Sequence, residues 1–244
     1  MSVYGHTLRM INASRDLRWF FAASAAAGAG VVFVGFAPTY YLKPVWGGPS
    51  LPLRVHIHGI LFTAWMLLFV LQSFLIARKR TRMHRRLGIV GAVLIAGMLV
   101  SGLSVSIAWA RVDSPGTGAV AGVPRLVAVV IPLASIAMFA LLASIGLLYR
   151  RRPDVHKRLM LLATIALLPP ALGRISFLAA RGPAAFFAVT CLFIVALAVY
   201  DYVIHQRVYP ASLWGGLLLA VSFPARLTLG QTHAWNVFAQ WLIS

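Results

Sequence analysis

An all-α polytopic membrane bundle of about seven transmembrane helices is the fold this 244-residue chain predicts, and three observations predict it. Hydrophobic residues make up 61% of the chain, charged residues only 11%, and mean hydropathy is +0.87. A soluble domain of this size would lack the polar surface to cover itself. Seven apolar runs are each long enough to cross a hydrocarbon core at about 1.5 Å per residue. Finally, Leu75 to Leu87 (LIARKRTRMHRRL) aligns without a gap with Leu147 to Leu159 (LLYRRRPDVHKRL) at an offset of 72 residues, so one helical hairpin is written twice.

In chain order the runs fall at about Trp19–Ala37, Val55–Ala77, Leu87–Ala110, Leu126–Tyr149, Leu159–Ala180, Ala184–Ile204 and Ala211–Leu229. The Ala/Gly-rich centre of the first resembles a signal peptide, but its length and its place in the parity of spans predict a retained helix. Spans two and three form one copy of the hairpin and spans four and five the other, giving a duplicated core over residues 52–175 inside a single membrane domain, 1–244. In each copy an apolar helix ends, a basic loop follows, and one histidine precedes two basic residues and a leucine. His84 and His156 are therefore counterparts at one depth, and the duplication predicts spans three and five side by side and parallel. Pro169-Pro170 predicts a break in span five, and Pro224 one in span seven. The longest connection, Pro38 to Arg54, leaves no room for a soluble domain. After span seven, residues 231–244 hold His233, Trp235, Phe238, Trp241 and Leu242. Aromatic residues at helical spacing beside a span end predict a short helix in the outer interface, and too few residues remain for an eighth span.

Charge sets the orientation. The chain has 22 Lys and Arg residues against four aspartates and no glutamate, a net charge of +18. Arg9, Arg15 and Arg18 precede span one; Arg78, Lys79, Arg80, Arg82, Arg85 and Arg86 separate spans two and three; Arg150, Arg151, Arg152, Lys157 and Arg158 separate four and five; Arg207 separates six and seven. Fifteen of the 22 bases thus share one side, so the positive-inside rule predicts that the N-terminus is cytoplasmic and, with seven spans, the C-terminus outside. Bases at helix ends anchor the rims and attract anionic lipid headgroups, so the charge is not a nucleic-acid footprint. A lone cysteine, Cys191, excludes an intrachain disulfide and a cysteine metal site. No serine sits in a nucleophile elbow and the absence of glutamate excludes the zinc-protease motif, which removes the common hydrolase classes.

Three sets of residues are candidates for chemistry. His84 and His156 lie at the same end of neighbouring spans, and two imidazoles from facing helices are what a six-coordinate b-type haem requires, with nearby arginines available for its propionates. The alternative is that both rings rest at the headgroup level. At the other end, His56, His58 and His233 form a three-nitrogen metal site for copper or zinc if the segment after Pro52 is extended; on a helix, residues two apart point about 200° from each other and cannot share a metal. Arg174, after the Pro169-Pro170 pair, and Arg226, after Pro224, are charges inside the outer half of the membrane. Asp16, Asp113, Asp154 and Asp201 are too few and mostly on the wrong side to neutralise them together with Arg54, Arg125 and Arg181. An outer anion-binding pocket is one reading, and snorkelling to headgroups the other.

The run His56-x-His58-Gly59, then Trp65, Leu71-Gln72-Ser73-Phe74, a basic turn and His84-Arg85-Arg86-Leu87-Gly88 resembles a group of uncharacterised bacterial multi-pass membrane proteins with an HxHG…Q…HRRLG pattern. More distantly it is similar to the cytochrome b561 core, in which four consecutive helices hold two haems through histidines paired between alternate helices. The resemblance covers roughly residues 52–175. It implies that His84 and His156 match the pair on the second and fourth core helices, and His56 or His58 the histidine on the first. The fourth ligand is missing, since span four carries Val127, Ala128, Val129 and Val130 where it belongs, so the resemblance implies at most one haem of the usual kind.

Three function classes follow. One is electron transfer through a single haem on His84 and His156, with a quinone or another redox protein as partner. Another is a transporter or a lipid- or anion-binding protein using Arg174 and Arg226, for which the proline breaks speak because broken helices line substrate sites. The last is an assembly or scaffold protein without catalysis.

Overall fold

The protein is described by a computed structural model over residues 19–47, 49–111, 119–120 and 123–244. His6, Arg9, Arg15, Asp16, Arg18 and Asp113 lie outside the described residues. Among the described residues, seven helical segments are long and apolar enough to cross a membrane: Phe20–Tyr41, Leu53–Ala77, Thr81–Ala110, Arg125–Leu148, Pro153–Leu172, Pro183–His205 and Pro210–Gly230. The molecule is thus an all-α polytopic membrane bundle. Its outward faces are apolar, with Ile89, Val93, Leu192 and Val221 all exposed, as side chains that meet lipid must be.

Helix α1 (Phe20–Phe36) buries Ala22, Ala25, Gly28, Val32 and Gly35 along one stripe. Small residues at such a stripe let backbones approach closely, which is how helices gain contact where lipid removes the hydrophobic drive. The closest approach is at Gly35, where a β-carbon would collide with the carbonyl group of Ala171. At Pro38 the helix widens into a π segment, Ala37–Tyr41. Proline has no N–H and its ring collides with the preceding turn, and the hydrogen bond that closes the segment runs five residues back, from Leu42 N to Ala37 O at 2.8 Å. A four-residue helix, α2 (Lys43–Trp46), leads to the core.

Both copies of the repeated hairpin form. Helices α3 (Leu53–Ala77) and α4 (Thr81–Ala110) pair in the first, and after a short helix α5 (Arg125–Ala128), α6 (Val130–Leu148) and α7 (Pro153–Ile165) pair in the second. Between α4 and α5 the chain makes a two-residue antiparallel ladder, β1 (Ala119–Val120) with β2 (Val123–Pro124). Helices α4 and α7 begin 72 residues apart (153 − 81), so the register of the sequence repeat is kept. Two expectations are corrected. Spans three and five begin well before their apolar runs, at Thr81 and Pro153, because Pro153 is preset for the first helical position and Asp154 adds an acid beside the N-terminal dipole. His84 and His156 consequently sit on the first helical turns rather than in the loops. The seam between the hairpins also runs through α4 and α6 rather than along α4 and α7, which meet at their first turns.

Span five is the most deeply enclosed of the seven. Its helix stops at Ile165, turns through i→i−3 bonds from Leu167 to Thr164 and Leu168 to Ile165, and resumes as α8 (Pro169–Leu172). The break at the two prolines is as expected, but the span ends at Leu172 instead of Ala180. A short α9 (Ser176–Ala179) then leads to α10 (Pro183–His205) and α11 (Pro210–Gly230), which continues as helix through Pro224. The final helix, α12 (His233–Ile243), is capped by Thr232, whose hydroxyl accepts from Trp235 N at 3.1 Å. It folds back over the bundle end: Trp235 Nε1 donates to Leu126 O at 2.8 Å, and Arg111 Nε to Ile243 O at 2.8 Å.

Candidate functional site

His84 and His156 are brought together. Their ring centres are 6.2 Å apart and the planes are inclined by 75°. Two metal–imidazole bonds of about 2 Å each, plus the distance from each nitrogen to its ring centre, add up to about 6 Å, so the separation suits two imidazoles on opposite sides of one metal ion. His156 is oriented from within its own hairpin: Nδ1 lies 2.8 Å from the carbonyl oxygen of Gly146. A carbonyl only accepts, so Nδ1 carries the proton and Nε2 keeps its lone pair for a ligand. Gly146 makes this contact possible by letting α6 and α7 close up, since a β-carbon there would press on Met160 Sδ at 3.0 Å. His84 lies within electrostatic reach of the Gln72 backbone on α3, and its Nδ1 is buried without a hydrogen-bond partner. One turn further along α4, a β-carbon on Gly88 would meet nothing within 4 Å. A tautomer fixed by a carbonyl at His156 and the separation of the two rings fit a haem held between these two histidines.

Next to the pair lies a network that the sequence pattern does not announce. Arg158 is completely buried, and its Nε donates to both oxygens of Asp201, at 3.0 and 2.9 Å, while Nη2 bonds Oδ1 and Nη1 reaches Asp154 O at 2.7 Å. Ser212 Oγ donates to Asp201 Oδ2 at 2.5 Å, Tyr209 N does so at 3.3 Å, and the Tyr209 ring covers the guanidinium at 3.7 Å. Among the described residues this is the only ion pair, and it ties α7 to α10 and α11. Its one signal in the sequence is the lone aspartate of span six, Asp201, four residues from the helix end. Beside it, the Lys157 ammonium lies over the rings of Phe21 and Tyr200 at 4.9 and 5.7 Å, and His205 stands edge-on to Tyr209 with Nε2 unpartnered.

The opposite end does not assemble a three-histidine centre. His56 and His58 both lie on regular helix α3, so the extended segment that would have let them share a metal is absent. His56 is exposed beside the Tyr40 ring; His58 packs on Phe62 at 4.1 Å; His233 is exposed in the first turn of α12. Among the described residues no three His, Cys, Asp or Glu side chains are grouped to hold a metal ion. His58 is within electrostatic range of Arg174 and has an unpartnered Nδ1.

Arg174 and Arg226 take separate sets of partners. Arg174 Nη1 donates to Pro170 O at 2.6 Å, a carbonyl at the proline break, and the group lies 4.5 Å from the Phe36 ring. Arg226 is 2% exposed, donating to Ser135 and Ser222 hydroxyls at 3.0 Å each and packing on Phe223, with Nε unpartnered. A cleft of about 560 Å³ at the same end is lined by Arg54, Ser104, Ile107, Ala108, Arg111 and Leu242. No protein family matches the chain, and neither a curated protein nor a solved structure is similar to it.

Proposed function

We propose that this multi-pass membrane protein binds one b-type haem between His84 and His156 and passes electrons, with a quinone or another redox protein as partner. The observation that carries the reading is the 6.2 Å separation of two histidine rings contributed by equivalent positions of a duplicated hairpin. When bound, the haem supplies one-electron chemistry. The chain's own part is to hold the ligands. Gly146 fixes the His156 tautomer, the rigid first turns of α4 and α7 set the ring separation, and Arg85 and the bases of the neighbouring turns offer cationic partners for propionates. Purified protein is expected to show a Soret band that shifts and sharpens on reduction with dithionite. His84→Ala and His156→Ala should each abolish it, while His233→Ala leaves it intact; a colourless preparation after expression with haem supplied overturns the reading.

A second reading has its own observation. Arg226 is a cation with no carboxylate partner among the described residues, buried within span seven and left with one free donor, which suits an anionic lipid or a small anion. Anion- or lipid-dependent thermal stability lost in Arg226→Gln supports it.

The orientation is part of the proposal: a bacterial inner membrane, with the turns at Arg78–Arg80 and Arg150–Arg152 on the cytoplasmic side. In a background with Cys191→Ser, a cysteine at Ser50 should react with a membrane-impermeant maleimide added to intact spheroplasts and one at Thr81 should not. The reverse pattern inverts the molecule.

A further inference from the structure

Two complementary orphans belong to neighbouring residues beside the histidine pair. His84 Nδ1 is a buried ring nitrogen without a partner, and Gln72 Oε1 is a buried acceptor without a donor. The Gln72 backbone carbonyl is within electrostatic reach of the His84 ring. A buried polar atom left unbonded is costly, and native structures rarely keep a donor and an acceptor unmatched when they are neighbours. In the second hairpin the equivalent histidine is bonded at Nδ1 by a carbonyl of the preceding helix, Gly146 O. The first hairpin offers an amide side chain from its own preceding helix, α3, in that role.

We propose that the Gln72 side chain is the positioning group of His84: its Oε1 accepts from Nδ1–H, holding the ring in the tautomer whose Nε2 lone pair faces His156. The role of Gln72 rests on the ligand reading only for its purpose; donor and acceptor are both groups of the chain itself. A carbonyl acceptor behind a ligating imidazole fixes its orientation and raises its basicity.

The test reads the tautomer directly and without haem. Protein labelled with 15N at histidine is placed in lipid nanodiscs at a pH where imidazole is neutral, and His84 is assigned by its disappearance in His84→Gln. The expected result is Nδ1–H for both His84 and His156, with Gln72→Leu turning His84 alone into a mixture of tautomers and Gln72→Glu, which keeps an acceptor, restoring a single Nδ1–H form. Thermal unfolding of each variant establishes that the bundle is folded. A His84 that carries its proton on Nε2 in the parent protein, or one that is unchanged by Gln72→Leu, overturns the proposal. If the tautomer behaves as expected but no Soret band forms, Gln72 is confirmed as the positioning group while the haem reading fails. Where haem does bind, Gln72→Glu should also lower the reduction potential relative to the parent, because a carboxylate pulls the Nδ1 proton harder and makes the ligand more electron-rich.

Discussion

Asp201→Ala is expected to be the most damaging single substitution in the molecule. It leaves the Arg158 guanidinium fully buried with no counter-charge and strips Ser212 Oγ and Tyr209 N of their acceptor. Removing one partner of a buried pair costs about 3–5 kcal/mol, a large share of the roughly 5–15 kcal/mol that holds a folded domain together. Thermal unfolding in mild detergent should show a collapse of the transition or loss of monodisperse protein. Replacing both partners by apolar residues, Arg158→Met with Asp201→Leu, should recover much of the loss, because the expense of a buried pair lies in desolvating its charges. An Asp201→Ala protein as stable as the parent means that Arg158 finds another acceptor or reaches water, and the pair is then not what fastens α7 to α10 and α11.

The next largest effect is expected at Gly35. A methyl group there meets the Ala171 Cα at 2.9 Å and its carbonyl closer still, and backbone has no rotamer by which to yield. Gly35→Ala must push α1 away from α8, and Gly35→Val further still. Overpacking typically costs about 1–3 kcal/mol and sometimes more. Gly30, on the same helix with nothing within 4 Å of where a methyl group would stand, provides the contrast: Gly30→Ala should be neutral or stabilise by up to about 1 kcal/mol, the usual gain of alanine over glycine in a helix. Equal unfolding temperatures for the two alanine variants argue against the tight α1–α8 contact.

The bundle is legible in the sequence because its signals are local and additive. Twenty-odd apolar residues in a row can hardly be anything but a span, and the repeat from Leu75 to Leu87 and Leu147 to Leu159 is enough by itself to put His84 and His156 in register. Helix starts are misplaced at Leu87 and Leu159 because the apolar run marks where lipid begins, whereas a helix begins where its backbone can be capped, at Pro153 with Asp154, or where the turn ends, at Thr81. Side-by-side packing of spans three and five is an expectation from symmetry alone, and it fails along their length because the contacts of α4 with α6 depend on side-chain shapes that a repeat of thirteen residues does not encode. The Arg158–Asp201 pair escapes for a related reason. In the repeat Arg158 is the counterpart of Arg86, which is exposed, so the pattern marks both as rim charges; only the arrival of span six tells them apart. His56 and His58 are ambiguous by nature, since the same two residues converge on a strand and diverge on a helix.

The distance along the chain between Arg158 and Asp201 has a consequence for how the protein is made. Forty-three residues separate them, and at about 5–20 residues per second of synthesis the arginine emerges from the ribosome roughly two to nine seconds before its aspartate. Throughout that interval the Arg158 guanidinium lacks its carboxylate, and its long side chain, sitting in the second turn of the helix, can reach back to headgroups beside the basic turn. The guanidinium can meet its carboxylate only once span six has been made. The pair is therefore a clasp that can close only late in biogenesis, by the nascent chain's own next helix, and a chain stalled before Asp201 has no carboxylate from span six to offer Arg158.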